Sequence, residues 1–242
     1  MGVPLALWIN RLTRRSVLSA ADVAQLQQLP HRVMRFQRHQ DVVREGEFTQ
    51  EACLIVEGRF GRYRQDAAGV RQICALHLPG DMADLHSVML PLANSAITAM
   101  SDGIVWRIPH EAIRALTRNS SAIAEACWRD TLVDAQLAVE GMFVLGRLAA
   151  RGKCAHLLCE LSYRLSLIGE RADRFELDLT QELIGELLGL TSVHVNRTLR
   201  DLRMSGLIQI EKKQVVILDA DGLAREGQFN PRYLHLATRP AG

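Results

Sequence analysis

No uninterrupted apolar run in this 242-residue chain reaches the roughly 18–20 residues that a membrane-crossing helix needs, so a membrane span is not expected. The opening MGVPLALWINRLTRR carries its charge after a short apolar part, the reverse of a secretory leader, and a cytoplasmic location is the expectation. Cys53, Cys74, Cys127, Cys154 and Cys159 are odd in number, scattered and without a C-x-x-C pair. That spacing speaks against a disulfide framework or a zinc ribbon, and the five thiols are expected buried and reduced. His31, His39, His77 and His86 form no H-x-H pair and no carboxylate-backed set, so no metal ligands are assigned. A Ser-His-Asp arrangement and a phosphate loop are also missing, and the chain is not read as an enzyme. The formal net charge of +2 is too small to argue for nucleic acid, so any basic surface has to be local.

The chain does have ample material for packed cores: 48% of its residues are hydrophobic and 23% charged. Residues 18–29 form a helical pattern, with Ser19 and Asp22 placed as a capping box and Pro30 beyond its end. Residues 31–108 then change to short apolar or alternating segments (53–56, 61–64, 73–78, 96–100 and 105–108) punctuated by Gly46, Gly58, Gly69, Pro79-Gly80 and Asp102-Gly103. This rhythm, a turn about every 8–12 residues or somewhat more, predicts an antiparallel sandwich or barrel.

At Pro109 the rhythm changes again. Residues 109–117 read as a short helix, and from Ser121 a long helical stretch runs toward Gly146. Trp128, Leu132, Ala135, Val139 and Met142 recur on it at alternating steps of four and three, the seam of a paired helix, which predicts a homodimer. The residues leave a second reading open, a long helix lying on its own β domain. Residues 148–152 break the seam and mark the expected hinge before another helix over 154–167.

Residues 177–218 carry the strongest local signal. Two helical patterns, 181–188 and 192–204, are separated by Gly189-Leu190-Thr191 alone. Thr180 and Thr191 stand where a hydroxyl caps a helix start, and Gly189 where a helix ends. Leu183, Leu187, Leu190, Val195, Leu199 and Leu202 are spaced to meet inside this corner. That leaves Ser192, Val193, His194, Asn196, Arg197, Arg200 and Arg203 facing out. Two short strands, 208–211 and 215–218, flank Lys212-Lys213 as a hairpin wing. A short corner, an arginine row and a basic wing together predict a winged helix-turn-helix that binds double-stranded DNA. The assigned DNA-binding residues are Thr191, Ser192, Val193, His194, Asn196, Arg197, Arg200, Lys212 and Lys213. Beyond them, residues 223–236 are expected to form a short helix and a segment whose Phe229, Tyr233 and Leu236 pack back on the winged domain.

In this order the segments resemble the Crp/Fnr family of bacterial transcription regulators. The resemblance is carried by REGE at 44–47, LPGD at 78–81 and TQELIGELLGLTSVHVNRTLRDLRMSGLI at 180–208. It implies an α+β chain with an N-terminal antiparallel β-roll or jelly roll, a long dimerisation helix and a C-terminal winged helix-turn-helix. The expected domains are residues 1–120, a cyclic-nucleotide-binding-like sensor, residues 121–148, the dimerisation helix, and residues 149–242, the reader. It also implies a homodimer on a pseudo-palindromic DNA site, with a contact to RNA polymerase as a further expected partner.

Departures from the family pattern bear on the effector. Members that respond to cyclic AMP carry a Gly-Glu-Leu run and an Arg-Ser-Ala run; here these are Asp84-Leu85-His86 and Asn94-Ser95-Ala96. Asp84, Leu85, His86, Asn94 and Ser95 are therefore the effector-pocket candidates. An asparagine offers no charged fork to a phosphate, so tight cyclic AMP binding is not expected. Iron-sulfur members group cysteines near the N-terminus, whereas the first cysteine here is Cys53, and that cluster is not expected either. Haem stays open as a cofactor, with His77 and His86 as its candidate ligands, so the alternative reading is a cyclic-nucleotide- or haem-binding sensor module whose DNA binding is secondary. The recognition helix keeps one arginine of the family's usual base-reading series, Arg197, so the operator is expected to differ from the family's TGTGA and TTGAT half-sites.

Overall fold

The computed structural model describes residues 3–236; Met1, Gly2 and residues 237–242, the ends of the first and last expected domains, lie outside the described residues. The chain divides into two compact units. The first holds the described residues through Arg64, Leu76–Leu137 and residues 234–236; the second holds Gln65–Ala75 and Ala138–Tyr233.

The first unit opens with helix α1 (Val3–Arg15), where the sequence reading placed no element, and α2 (Ala20–Gln27). Leu5, Trp8, Ile9 and Leu12 of α1 are buried, at the three- and four-residue steps of one helix face. Ser19 and Asp22 form the expected capping box of α2. Seven strands follow along the chain, with β5 running from the second unit into the first: β1 (Arg32–Phe36), β2 (Asp41–Val43), β3 (Glu51–Glu57), β4 (Phe60–Gln65), β5 (Arg71–His77), β6 (Ala96–Ala99) and β7 (Gly103–Pro109). They form two sheets, ordered β1-β7-β3 and β2-β6-β4-β5. Strand β3 lies between two cores, which explains why its sequence is continuously apolar rather than alternating. Cys53 and Ile55 join Val43, Phe60, Ile97 and Val105 on one side. Ala52 and Leu54 join Trp8, Leu12, Leu26, Met82 and Ile108 on the other. Helix α3 (His110–Asn119) leads into α4 (Ser121–Arg147), which spans 27 residues.

The second unit contains α5 (Ala150–Ser166), β8 (Arg174–Glu176), α6 (Gln181–Leu188), α7 (Ser192–Met204), β9 (Ile208–Glu211), β10 (Gln214–Ile217) and α8 (Ala220–Glu226). The wing is a three-stranded sheet ordered β8-β10-β9, one strand more than the expected hairpin. Phe175 of β8 and Val215 of β10 pair in register, and both are buried. The chain after α8 packs on α5: Phe229 lies edge-on to His156, and the Tyr233 hydroxyl donates to Glu160 at 2.8 Å. Within this unit Gln72 of β5 donates from Nε2 to the carbonyls of Glu186 (2.7 Å) and Leu187 (3.2 Å) at the end of α6. One expectation is corrected: Cys53, Cys127, Cys154 and Cys159 are buried, but Cys74 is exposed. On β5 the adjacent Ile73 is buried, and Cys74, one step along the strand, points to the opposite side of the pleat.

Candidate nucleic-acid interface

The corner between α6 and α7 is built from local chemistry. The Thr180 hydroxyl accepts from the Leu183 N–H at 3.2 Å, and the Thr191 hydroxyl accepts from the His194 N–H at 3.2 Å. Gly189 ends α6 at φ +63°, a left-handed conformation that glycine adopts without strain. A second glycine closes the corner: a Cβ on Gly185 would collide with the Leu190 carbonyl oxygen, and the Leu190 N–H instead reaches the Gly185 carbonyl at 3.0 Å.

Buried Val195, Thr198, Leu199 and Leu202 hold α7 to its unit. Its other face leaves Ser192, Val193, Asn196, Arg197, Arg200 and Arg203 exposed, with His194 half-buried. Arg197, Arg200 and Arg203 make no side-chain hydrogen bond or ion pair with the described residues. Three uncompensated guanidinium groups thus share one helix face whose N-terminal end already carries the positive pole of the backbone dipole. Asn196 donates from Nδ2 to Gln181 Oε1 at 3.2 Å. At the wing tip Lys212 takes φ +56° and is exposed, while Lys213 Nζ lies 2.6 Å from Asp178 Oδ1.

The effector-pocket candidates divide. Asp84 is buried and accepts from the Cys53 N–H at 2.6 Å, and Leu85 sits in the core around Trp8. Asn94 is exposed. His86 and Ser95 come together around a residue that sequence reasoning missed, Arg62 of β4. Its Nη1 lies 3.2 Å from Ser95 Oγ and 3.5 Å from His86 Nε2, and its Nη2 donates to the Ala83 carbonyl. Burial and the Arg62 charge hold the His86 pKa below its ordinary value, favouring the neutral imidazole. Arg62 has no ion pair with a carboxylate among the described residues. The other candidate haem ligand, His77, is buried. Among the described residues no group of three or more His, Cys, Asp or Glu side chains gathers to hold a metal, and no helix is long and apolar enough to cross a membrane.

The seam of α4 is uncovered in this chain. Trp128 is 67% exposed and Met142 66%, and Leu132, Ala135 and Val139 between them are exposed as well. The opposite face buries Ile123, Ala126, Cys127, Asp130 and Val133. Asp130 is the centre of a charge cluster, accepting from Trp8 Nε1 at 3.0 Å and from Arg15 Nη1 at 2.6 Å. Arg11 pairs with Asp81, whose other oxygen accepts from the Leu78 N–H at 2.8 Å and so holds the Leu78-Pro79-Gly80-Asp81 turn. Half-buried Asp134 lies near the same cluster. Burial and the Asp130 charge push its pKa up to about 7, against the opposing pull of Arg11.

Two family descriptions match this sequence: a Crp-like helix-turn-helix domain over residues 152–226 and a cyclic nucleotide-binding domain over residues 33–120. The regulatory protein HlyX of Actinobacillus pleuropneumoniae is 27% identical over 215 residues, covering 89% of this chain and 90% of its own. The fumarate and nitrate reduction regulatory protein of Vibrio cholerae is 26% identical over 211 residues, covering 87% and 84%. Among solved structures, FixK2 from Bradyrhizobium japonicum superposes with a TM-score of 0.72 at 25% identity, over 81% of this chain and 97% of its own.

Proposed function

We propose that this chain, which belongs to the Crp/Fnr family of DNA-binding transcription regulators, works as a homodimer on a pseudo-palindromic site and takes an effector other than cyclic AMP. The observation that carries the reading is the row of Arg197, Arg200 and Arg203, uncompensated along the exposed face of α7. A helix start held by Thr191 enters a major groove, where Arg197 pairs with guanine O6 and N7 and Val193 packs on a thymine methyl. Lys212 and Lys213 meet the backbone beside it, with Lys213 exchanging Asp178 for a phosphate. The uncovered apolar seam of α4 supports pairing of two copies, because a monomer would leave Trp128 and Met142 in water. Two readers so paired fit half-sites about one helical turn apart. In this reading the protein acts in the cytoplasm and its output passes through contact with RNA polymerase.

Two features support the effector reading. Leu85 stands where the cyclic AMP-responsive pattern has its glutamate, and Leu85 is core. Asn94 has replaced the phosphate arginine, while Arg62 draws its contacts from Ser95 and the Ala83 carbonyl. Calorimetry with cyclic AMP at micromolar concentration is expected to give no saturable heat; a specific response there overturns this part.

Selection of a random duplex library by the purified protein, followed by sequencing of the bound fraction, tests the rest. Enrichment of an inverted repeat with centres about 10 base pairs apart is expected. Enrichment of single half-sites would remove the dimer. No enrichment, either from purified protein or in the presence of cell extract, would remove the reading of α7.

A further inference from the structure

We infer that Gln181 positions Asn196 for base reading, fixing the Asn196 amide in the orientation that selects adenine. This rests on α7 being the DNA-reading helix. Gln181 is the first residue of α6, directly after the capping Thr180, and Asn196 lies on the exposed face of α7 one position before Arg197. Asn196 Nδ2 donates to Gln181 Oε1 at 3.2 Å. Both residues are exposed.

The consequence follows from hydrogen-bond polarity. Adenine offers an acceptor, N7, beside a donor, the N6 amino group, whereas guanine offers two acceptors, N7 and O6. An asparagine distinguishes them when its amide nitrogen faces N7 and its carbonyl faces N6. A free asparagine side chain on a helix surface turns over readily, so that orientation has to be selected at binding. The Gln181 carbonyl accepts one Asn196 N–H, which directs the amide nitrogen toward α6 and leaves the second N–H and the carbonyl for a base. Fixing a side chain in its bound orientation beforehand removes an ordering cost that would otherwise fall on the specific complex.

The test measures affinity for the selected operator and for three versions that change only the base pair under Asn196, located as the position where Asn196→Ala alters preference. The full-length protein is expected to prefer adenine there by about tenfold. Gln181→Ala is expected to lower that preference to about threefold or less, leaving affinity for the three substituted sites within about twofold and the melting temperature unchanged. Gln181→Glu keeps the acceptor and is expected to keep the preference while weakening binding to all four sites, since an added negative charge near the duplex is repelled by its backbone at longer range. In the double variant Gln181→Ala with Asn196→Ala, preference should match that of Asn196→Ala alone. An equal loss on all four sites for Gln181→Ala would overturn the inference and make Gln181 a backbone contact. So would an unchanged adenine preference in that variant, or additive losses in the double. If the unaltered protein shows no base preference at any position, the reading of α7 itself falls; if Arg197→Ala shifts preference and Gln181→Ala does not, only the present inference does.

Discussion

Arginine serves opposite ends in the two units. In the first, α1 turns Arg15 into the interior and holds Arg11 half-buried beside it, and each meets a carboxylate: Arg15 reaches Asp130 and the Leu234 carbonyl, and Arg11 reaches Asp81. Burial lowers the Arg15 pKa to about 10 even with Asp130 beside it, a sign of how much desolvation the cluster carries. In the second, Arg197, Arg200 and Arg203 stand in water without a partner. A buried charge has to be paired where it sits, whereas an exposed one can keep its field for a ligand. The first set therefore concerns stability, and the second is left available for a ligand.

The sharpest break of this comparison is Arg15→Met, which leaves Asp130 buried with one strong partner fewer. A loss of about 3–5 kcal/mol of stability is expected, a fall in melting temperature of roughly 10 °C, with operator affinity unchanged below the transition. A shift of only a degree or two would show the cluster to be dispensable. Arg197→Ala is the counterpart: stability within about 0.5 kcal/mol of the parent, but about 1–3 kcal/mol lost in discrimination at one base per half-site. Equal loss on specific and random duplexes would place Arg197 on the backbone instead.

A pH-dependent effect belongs to the interior set alone. Asp134 holds a proton up to about pH 7 in the folded chain, whereas an unfolded carboxylate loses it near pH 4. The folded state therefore binds more protons between those values, and stability falls as pH rises from about 4 to about 7 and is level above. Asp134→Asn removes that slope, and its advantage over the parent is expected to grow by about 1–2 kcal/mol between pH 5 and pH 8 in denaturant unfolding. A constant difference across that range would show Asp134 to be ionised throughout. The smallest effect is that of Lys212→Ala: weaker binding to all sequences alike, with the slope of log affinity against log salt reduced by about one per engaged side chain.

Much of the reader was legible because its signals are local. Thr180, Thr191 and Gly189 act on backbone groups within four residues, and α6 and α7 begin, and α6 ends, where those residues predict. The long helix was legible for a related reason, since an apolar step of four and three states which residues share a face. Strand β8 was missed because three residues, one of them buried, carry no period of their own; Phe175 becomes a strand residue by pairing with Val215. Helix α1 carries the same kind of stripe in Leu5, Trp8, Ile9 and Leu12, at steps of three and four.

Arg62 shows why the sensor was harder. On an alternating strand an arginine is ordinarily assigned to the solvent side, and nothing in its neighbourhood in the chain announces that Ser95, 33 residues away, and the Ala83 carbonyl will receive it. Gln181 and Asn196 are similarly 15 residues apart and meet only because Gly185 and Gly189 let the corner close. By itself the sequence determined the helix ends, the facing of the apolar stripes and the family pattern, because each is fixed by interactions within a turn or two of the chain. Only the tertiary structure decided which charges are paired and which are free, because Trp8 and Asp130, or Arg15 and Leu234, lie more than 100 residues apart. Desolvation depends on what the whole fold brings around a charge, and no local stretch of sequence specifies that.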